Sequence, residues 1–351
     1  MEMNQGGFDD RQAAAPRPRP EAAPRACPGL GGVFLRSCLV AGCAAILTPI
    51  LLFSSLVVIA WLAIGSGLPD GESSLRQVTL REGANESGDI AIVRIQGKID
   101  GAGSPLDGDG MLADVAEQLR AAARDDRVKA VLLQIDSPGG GFAASDQIYH
   151  EVANLRRGGK TVLAWAGGLM ASGGYYIAAA AAGIMANPAA TVGSIGVIMN
   201  HFEVGDALRS LGITVDPITS GAHKDIGSPF REMTPDERKL LQAHVDALHR
   251  RFVAIVAKGR NIPPERVGEL AGGDIFGAEA AMANGLVDRI GYIEDALDWV
   301  GELAGVRNMR VIGYRHTLSL GKLLREAGQG AAAAFREGLL PGNGALVGEV
   351  K

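Results

Sequence analysis

Downstream of residue 88 the chain alternates short apolar runs with segments of helical period. Runs at 89–95, 128–135, 161–165 and 183–186 read as strands, whereas 110–124, 143–157 and 172–182 repeat their apolar positions at three- and four-residue spacing and read as helices. Further on, 204–211 reads as a helix and 213–218 as a strand, followed by a long helix that runs to about 258 and short helices from 263 and 277. The long helix has a defined start: Thr234 suits the N-cap, Pro235 the first helical position, and Glu237 completes a capping box. Strands alternating with helices predict an α/β fold.

The first 88 residues follow a different pattern. Residues 1–36 are rich in Ala, Pro and Arg and lack the apolar periodicity that builds a core, so they read as a disordered tail. No charged residue occurs from 37 to 69, and 39–64 is almost wholly apolar, longer than the ~20 residues a helix needs to cross a bilayer. The segment 37–68 is therefore expected to be a transmembrane signal anchor. The competing reading, a cleaved signal peptide, has an apolar core of only ~7–15 residues and needs a small-residue cleavage site. Arg19, Arg25 and Arg36 before the span put the N-terminus on the cytoplasmic side and the large domain outside, in the periplasm or extracellular space. Residues 69–88 read as a polar linker, 89–316 as the catalytic domain, and 317–351 as a C-terminal tail whose Leu320, Leu323 and Leu324 suggest an amphipathic helix before a flexible end.

Composition narrows the function. The net charge is −5 with basic residues scattered rather than clustered, which argues against nucleic acid as a partner. Cys27, Cys38 and Cys43 all lie in or before the span, leaving the outer domain without a disulfide. No metal-ligand spacing occurs, and Gly139-Gly140-Gly141 lacks the Lys and hydroxyl pattern of a phosphate-binding loop, so neither a metal nor a cofactor is implied.

Two segments carry the chemistry. Gly167-Gly168-Leu169-Met170-Ala171-Ser172-Gly173-Gly174-Tyr175-Tyr176 offers a serine framed by glycines, and Ser220-Gly221-Ala222-His223-Lys224-Asp225 offers a lysine. A serine hydroxyl needs an adjacent base, and lysine serves only when neutral. Because its unperturbed pKa is ~10.4, a lysine base is expected in a desolvated pocket. The pair suggests a serine peptidase that uses no histidine. Ser172 also suits a plain helix N-cap, opening a helix whose N-terminal N–H groups lie near the reacting oxygen. A third segment, Asp136-Ser137-Pro138-Gly139-Gly140-Gly141, follows the 128–135 strand and reads as a tight turn able to aim N–H groups at a tetrahedral oxyanion.

These segments, together with Thr191-Val192-Gly193-Ser194-Ile195-Gly196 and Gly285-Leu286-Val287-Asp288, resemble the bacterial signal peptide peptidase SppA family, short form, over about 89–298. The resemblance implies a ClpP/crotonase-like fold of repeated ββα units and a Ser/Lys dyad, with Ser172 as nucleophile and Lys224 as general base. It further implies that Ser194 orients the lysine and that the backbone N–H groups of Gly140 and Gly173 form the oxyanion hole, with Gly139 an alternative to Gly140. Implied partners are signal peptides and other hydrophobic peptides at the outer face of the bacterial cytoplasmic membrane, and further copies of the chain in a homo-oligomeric ring.

Three other readings remain open on the sequence. A crotonase-type acyl-CoA enzyme shares the paired N–H groups but needs carboxylate acid/base groups instead of an activated serine. A catalytically idle scaffold has no use for Ser172, Ser194 and Lys224 together. A histidine base would have to come from His150, His201 or His223, none at a spacing that predicts a partner for Ser172. If the segment around His223 is extended, it and Lys224 face opposite ways. Asp136 and Asp225 read as turn-capping residues.

Overall fold

In a computed structural model the described residues are 75–83, 88–101 and 110–316, together with Thr48, Leu51, Ser54, Ser55 and Val58, which are helical. The chain divides into two units, Ser73–Thr317 and a second comprising Met1–Glu72 with Leu318–Lys351. The expected tails lie outside the described residues, as does most of the expected anchor. Among the described residues no helix is long and apolar enough to cross a membrane.

The larger unit is α/β. Its strands are β1 (Leu75–Arg81), β2 (Asp89–Gln96), β3 (Val128–Ser137), β4 (Thr161–Ala171), β5 (Gly183–Ala186), β6 (Thr191–Gly193), β7 (Ile275–Gly277), β8 (Arg289–Ile290) and β9 (Arg310–His316). Its helices are α1 (Gly110–Arg124), α2 (Phe142–Arg157), α3 (Gly173–Ala178), α4 (Gly205–Ser210), α5 (Pro235–Arg260), α6 (Pro264–Leu270), α7 (Ala278–Ala283) and α8 (Ile293–Ala304). The main sheet runs β1-β9-β2-β3-β4-β5-β8, with β6 pairing β4 and β7. Every pairing along it from β9 to β8 is parallel, and β1 closes the edge antiparallel to β9.

The central strands are near-continuous apolar runs because helices cover both of their faces. Val93, Ile95, Leu133, Ile135, Val162 and Ala164 face a core shared with α1, α2 and α3. The alternate residues Ile90, Ile92, Leu132, Leu163 and Trp165 pack with Trp299 and Val300 of α8. Each wholly buried aliphatic side chain here contributes about 1.5–3 kcal/mol.

Four expectations change. Leu75–Arg81, inside the expected linker, is a strand, since β9 offers it an open edge. β4 is longer than 161–165: it pairs with β5 through Ala166, then leaves it at Gly167-Gly168 and pairs with β6 from Leu169 to Ala171. Helix α3 stops at Ala178 instead of running to 182, and the Arg156 guanidinium takes the carbonyls of Ala180 and Ala181 (2.8 and 3.1 Å). Residues 213–218 form no strand, because no sheet edge lies alongside to accept their hydrogen bonds; Ile213, Val215 and Ile218 are exposed instead. The capping box is as expected: Glu237 N–H donates to Thr234 Oγ1 (3.2 Å) and Thr234 N–H to Glu237 Oε2 (2.9 Å).

Candidate active site

Open α/β sheets hold their ligands at the carboxyl ends of their parallel strands. Ser172 lies there, between the end of β4 and the start of α3, with φ 50° and ψ −117°. A serine at positive φ is strained, by about 1–3 kcal/mol. The strain persists because both backbone groups are held: Ser172 N–H donates to Gly193 O (2.8 Å), and Tyr176 N–H donates to Ser172 O (2.9 Å). Tyr176 is itself fixed. Its hydroxyl donates to Asp146 Oδ1 (2.6 Å), and its ring lies against Phe142, Tyr149 and Phe252. Burial, with the Asp146 carboxylate beside it, pushes the Tyr176 phenol well above the tyrosine range and keeps it a donor.

The 136–141 turn packs directly on the serine. Gly139 has φ +94°, and a Cβ there would lie 2.7 Å from Gly173 N and 2.8 Å from Ser172 Cβ. A side chain on Gly140 would collide with the Ile99 carbonyl, and one on Gly173 with Ser145 Oγ, while its Cβ would stand 3.3 Å from Gly140 N. Only glycine fits at all three positions. The turn is locked from below: the wholly buried Ser137 donates to Gly97 O (2.7 Å) and accepts from Gly139 N–H (3.0 Å), and Asp136 Oδ1 accepts from Leu169 N–H (3.0 Å). Asp136 thus ties β3 to the distant Leu169 of β4 instead of capping its own turn as expected. Gly139, Gly140 and Gly173 are brought together with Ser172.

Ser194 joins them. The β4–β6 pairing ends with Ala171 opposite Gly193, and Ser172 and Ser194 each follow that last pair directly; Ser194 also has positive φ, 51°. Its N–H donates to Asp274 O (2.6 Å). Both serines are half-buried, and neither hydroxyl makes a hydrogen bond among the described residues.

Lys224 is different. It is exposed and makes no side-chain hydrogen bond or ion pair among the described residues, so the single chain supplies neither the desolvated pocket expected for a lysine base nor a contact with Ser172. Its segment is a run of turns instead of an extended strand, with Lys224 N–H bonded to Gly221 O (3.1 Å), so the opposite-faces expectation for His223 does not apply. The preceding stretch of chain also exposes large apolar side chains, among them Ile198, Phe202, Leu211 and Ile218, between 73% and 102% exposed.

The Peptidase family S49 model matches residues 154–307, and the Clp protease model matches 102–192. A protein assigned as a signal peptide peptidase SppA in Enterococcus faecium is 36% identical over 262 residues, covering 70% of this chain and 72% of that protein. The chain belongs to the SppA-type peptidases of family S49. Other relatives of these S49 peptidases are longer: Protease 4 of Salmonella typhi is 33% identical over 260 residues, which span 73% of this chain but 41% of that protein. Serine protease SPPA, chloroplastic, of Arabidopsis thaliana is 31% identical over 212 residues, spanning 59% of this chain and 31% of that one. The chain is a serine-type peptidase, and its α/β core matches the Clp protease family over residues 102–192.

Sequence reasoning missed Ser145, which is buried against Gly173 and donates to Gly141 O (3.0 Å), and Arg231, which bonds both Asp225 and Glu237. Neither stands in a motif with a chemical signature. Their importance comes from contacts that only the folded chain creates.

Proposed function

We propose that this S49 peptidase is a membrane-anchored serine endopeptidase in which Ser172 and Lys224 form a catalytic dyad, with remnant signal peptides and other hydrophobic peptides as substrates at the outer face of the bacterial cytoplasmic membrane. The observation that carries the reading is Ser172 held at positive φ with the Gly139-Gly140 turn and Gly173 packed against it. Support comes from the close approach of the turn to the serine and to Ile99, which leaves no space for a side chain on Gly139 or Gly140.

In this mechanism neutral Lys224 takes the Ser172 proton as Oγ attacks the scissile carbonyl. Gly140 and Gly173 N–H groups stabilise the oxyanion, an effect of about 10²–10³-fold in rate per donor. The C–N bond breaks, protonated Lys224 gives its proton to the leaving amine, and an acyl ester remains on Ser172. Water, deprotonated by Lys224, attacks that ester and releases the acid, returning the proton to Ser172. Ser194 orients the lysine amine.

A second copy of the chain supplies what the single chain lacks. Exposed large apolar side chains mark interfaces where they cluster, and packing another protomer over the Lys224 loop would remove water from the amine. The ring assembly is thus part of the proposed active state. The anchor at 37–68 keeps the site at the membrane, where hydrophobic peptides are released.

A fluorophosphonate probe followed by peptide mapping tests the nucleophile. Labelling confined to Ser172, and lost in Lys224→Ala, is the expected result. Labelling of another serine, or none in a folded and oligomeric wild type, contradicts it.

A further inference from the structure

Since the Lys224 side chain makes no hydrogen bond or ion pair among the described residues, its position is set by the loop that carries it. That loop has short backbone bonds of its own, Lys224 to Gly221 and Ser228 to Asp225 (3.1 and 2.9 Å). Its far end is held at Pro229, whose carbonyl accepts from Val204 N–H (2.7 Å), and nearest the lysine its tie to a rigid element is the side chain of the next residue. Asp225 Oδ2 accepts from Arg231 Nε at 2.8 Å, and the same guanidinium donates to both oxygens of Glu237 at 2.9 and 2.5 Å. The Glu237 side chain is 2% exposed and sits in the first turn of α5, where it also closes the capping box with Thr234.

A capping box needs only the Thr and Glu. The guanidinium grips both oxygens of the capping Glu237 and also reaches back to the neighbour of Lys224, so it joins the lysine loop to the start of a 26-residue helix. Further along that helix Arg251 donates to Asp146 Oδ1 (2.7 Å), the oxygen that accepts from the Tyr176 hydroxyl. One connected set of bonds thus runs from the loop of Lys224, through α5, to the helix that follows Ser172.

We infer that Arg231 is a positioning residue for Lys224, acting through Asp225 to hold the lysine loop in fixed register with α5. The inference rests on the Ser172/Lys224 reading and deepens it. Fixing a catalytic group matters because a displacement of about 1 Å lowers turnover about 10²-fold. The charge state supports the tie: hydrogen bonds from Arg231 hold Asp225 below its ordinary carboxylate range.

The test uses the full chain and a hydrophobic fluorogenic peptide, with Asp225→Ala, Asp225→Asn and Arg231→Lys compared for kcat, KM, pH profile and Tm. Asp225→Ala cuts the tie while leaving the Arg231–Glu237 pair and the cap. It is expected to lower kcat about 10²-fold, with KM and Tm near wild type and a displaced alkaline limb. Asp225→Asn, which keeps an acceptor, recovers part of the loss, and Arg231→Lys, which cannot bond both carboxylates in the same fork, resembles Asp225→Ala. Wild-type kcat and pH profile in Asp225→Ala, with Ser172→Ala and Lys224→Ala inactive, overturns the inference and leaves the dyad standing. A kcat loss that follows a fall in Tm assigns the network a purely structural role and also overturns it. Full activity in Lys224→Ala removes the dyad and the inference together.

Discussion

A Cβ on Gly139 would stand 2.8 Å from the Cβ of Ser172, so the turn after β3 and the elbow after β4 meet with no space for a side chain. The φ of +94° at Gly139 adds a backbone reason for glycine. Gly139→Ala must therefore move the turn, the serine, or both. Peptide hydrolysis is expected to fall about 10²-fold or more, the scale of losing one oxyanion donor. Wild-type kcat in a folded Gly139→Ala protein would mean that the contact has no bearing on the reaction.

The exposed apolar side chains of residues 198–218 predict dependence on assembly. Phe202 and Ile218 are 74% and 102% exposed, and the double variant Phe202→Glu/Ile218→Glu puts charges where a second copy is proposed to pack. Light scattering coupled to size exclusion should report a smaller particle, with peptidase activity lost in parallel. An unchanged particle mass would move the interface elsewhere.

Glu237 gives stability a defined acid limb. The Arg231 guanidinium, with the Thr234 backbone N–H, lowers its pKa from 4.5 to about 2. A carboxylate whose folded pKa is depressed adds stability above its unfolded value, and the contribution is lost as pH falls through the folded value. Urea denaturation of wild type and Glu237→Gln should accordingly differ most above pH 4.5 and converge toward pH 2. A difference that stays constant across that window would contradict the charged pair.

Asp89, wholly buried at the start of β2, is held by Arg310 of β9 through bonds of 3.0 and 2.5 Å, with Arg127 farther off at 3.5 Å. Arg310→Ala removes the closer partner and leaves a buried carboxylate short of donors. Such a break costs about 3–5 kcal/mol, which a urea titration measures directly. A loss below about 1 kcal/mol, the scale of an exposed pair, would mean that Arg127 alone suffices.

Local signals were the legible ones. The β2-α1-β3-α2 order follows from periodicity, the start of α5 from Thr234, Pro235 and Glu237, and the link between Ser172 and the Gly139 turn from the two glycine-rich motifs and the family resemblance they carry. What stayed hidden depends on distant partners. β1 exists because β9, more than two hundred residues later in the chain, lies beside it, and the Asp89–Arg310 pair spans a similar separation. The strand expected at 213–218 has a fitting pattern but no sheet edge to join. Likewise a lysine at 224 marks a candidate base, but the sequence cannot express the desolvation it needs, and the single chain leaves it in water.

The most direct test of the dyad is hydrolysis of a hydrophobic fluorogenic peptide by wild type, Ser172→Ala and Lys224→Ala, matched for folding and particle size. The account predicts activity in wild type, rising toward alkaline pH as the lysine base becomes neutral, and loss of activity in both variants. Activity surviving in Lys224→Ala would place the base elsewhere, and activity surviving in Ser172→Ala would remove the nucleophile on which the account rests.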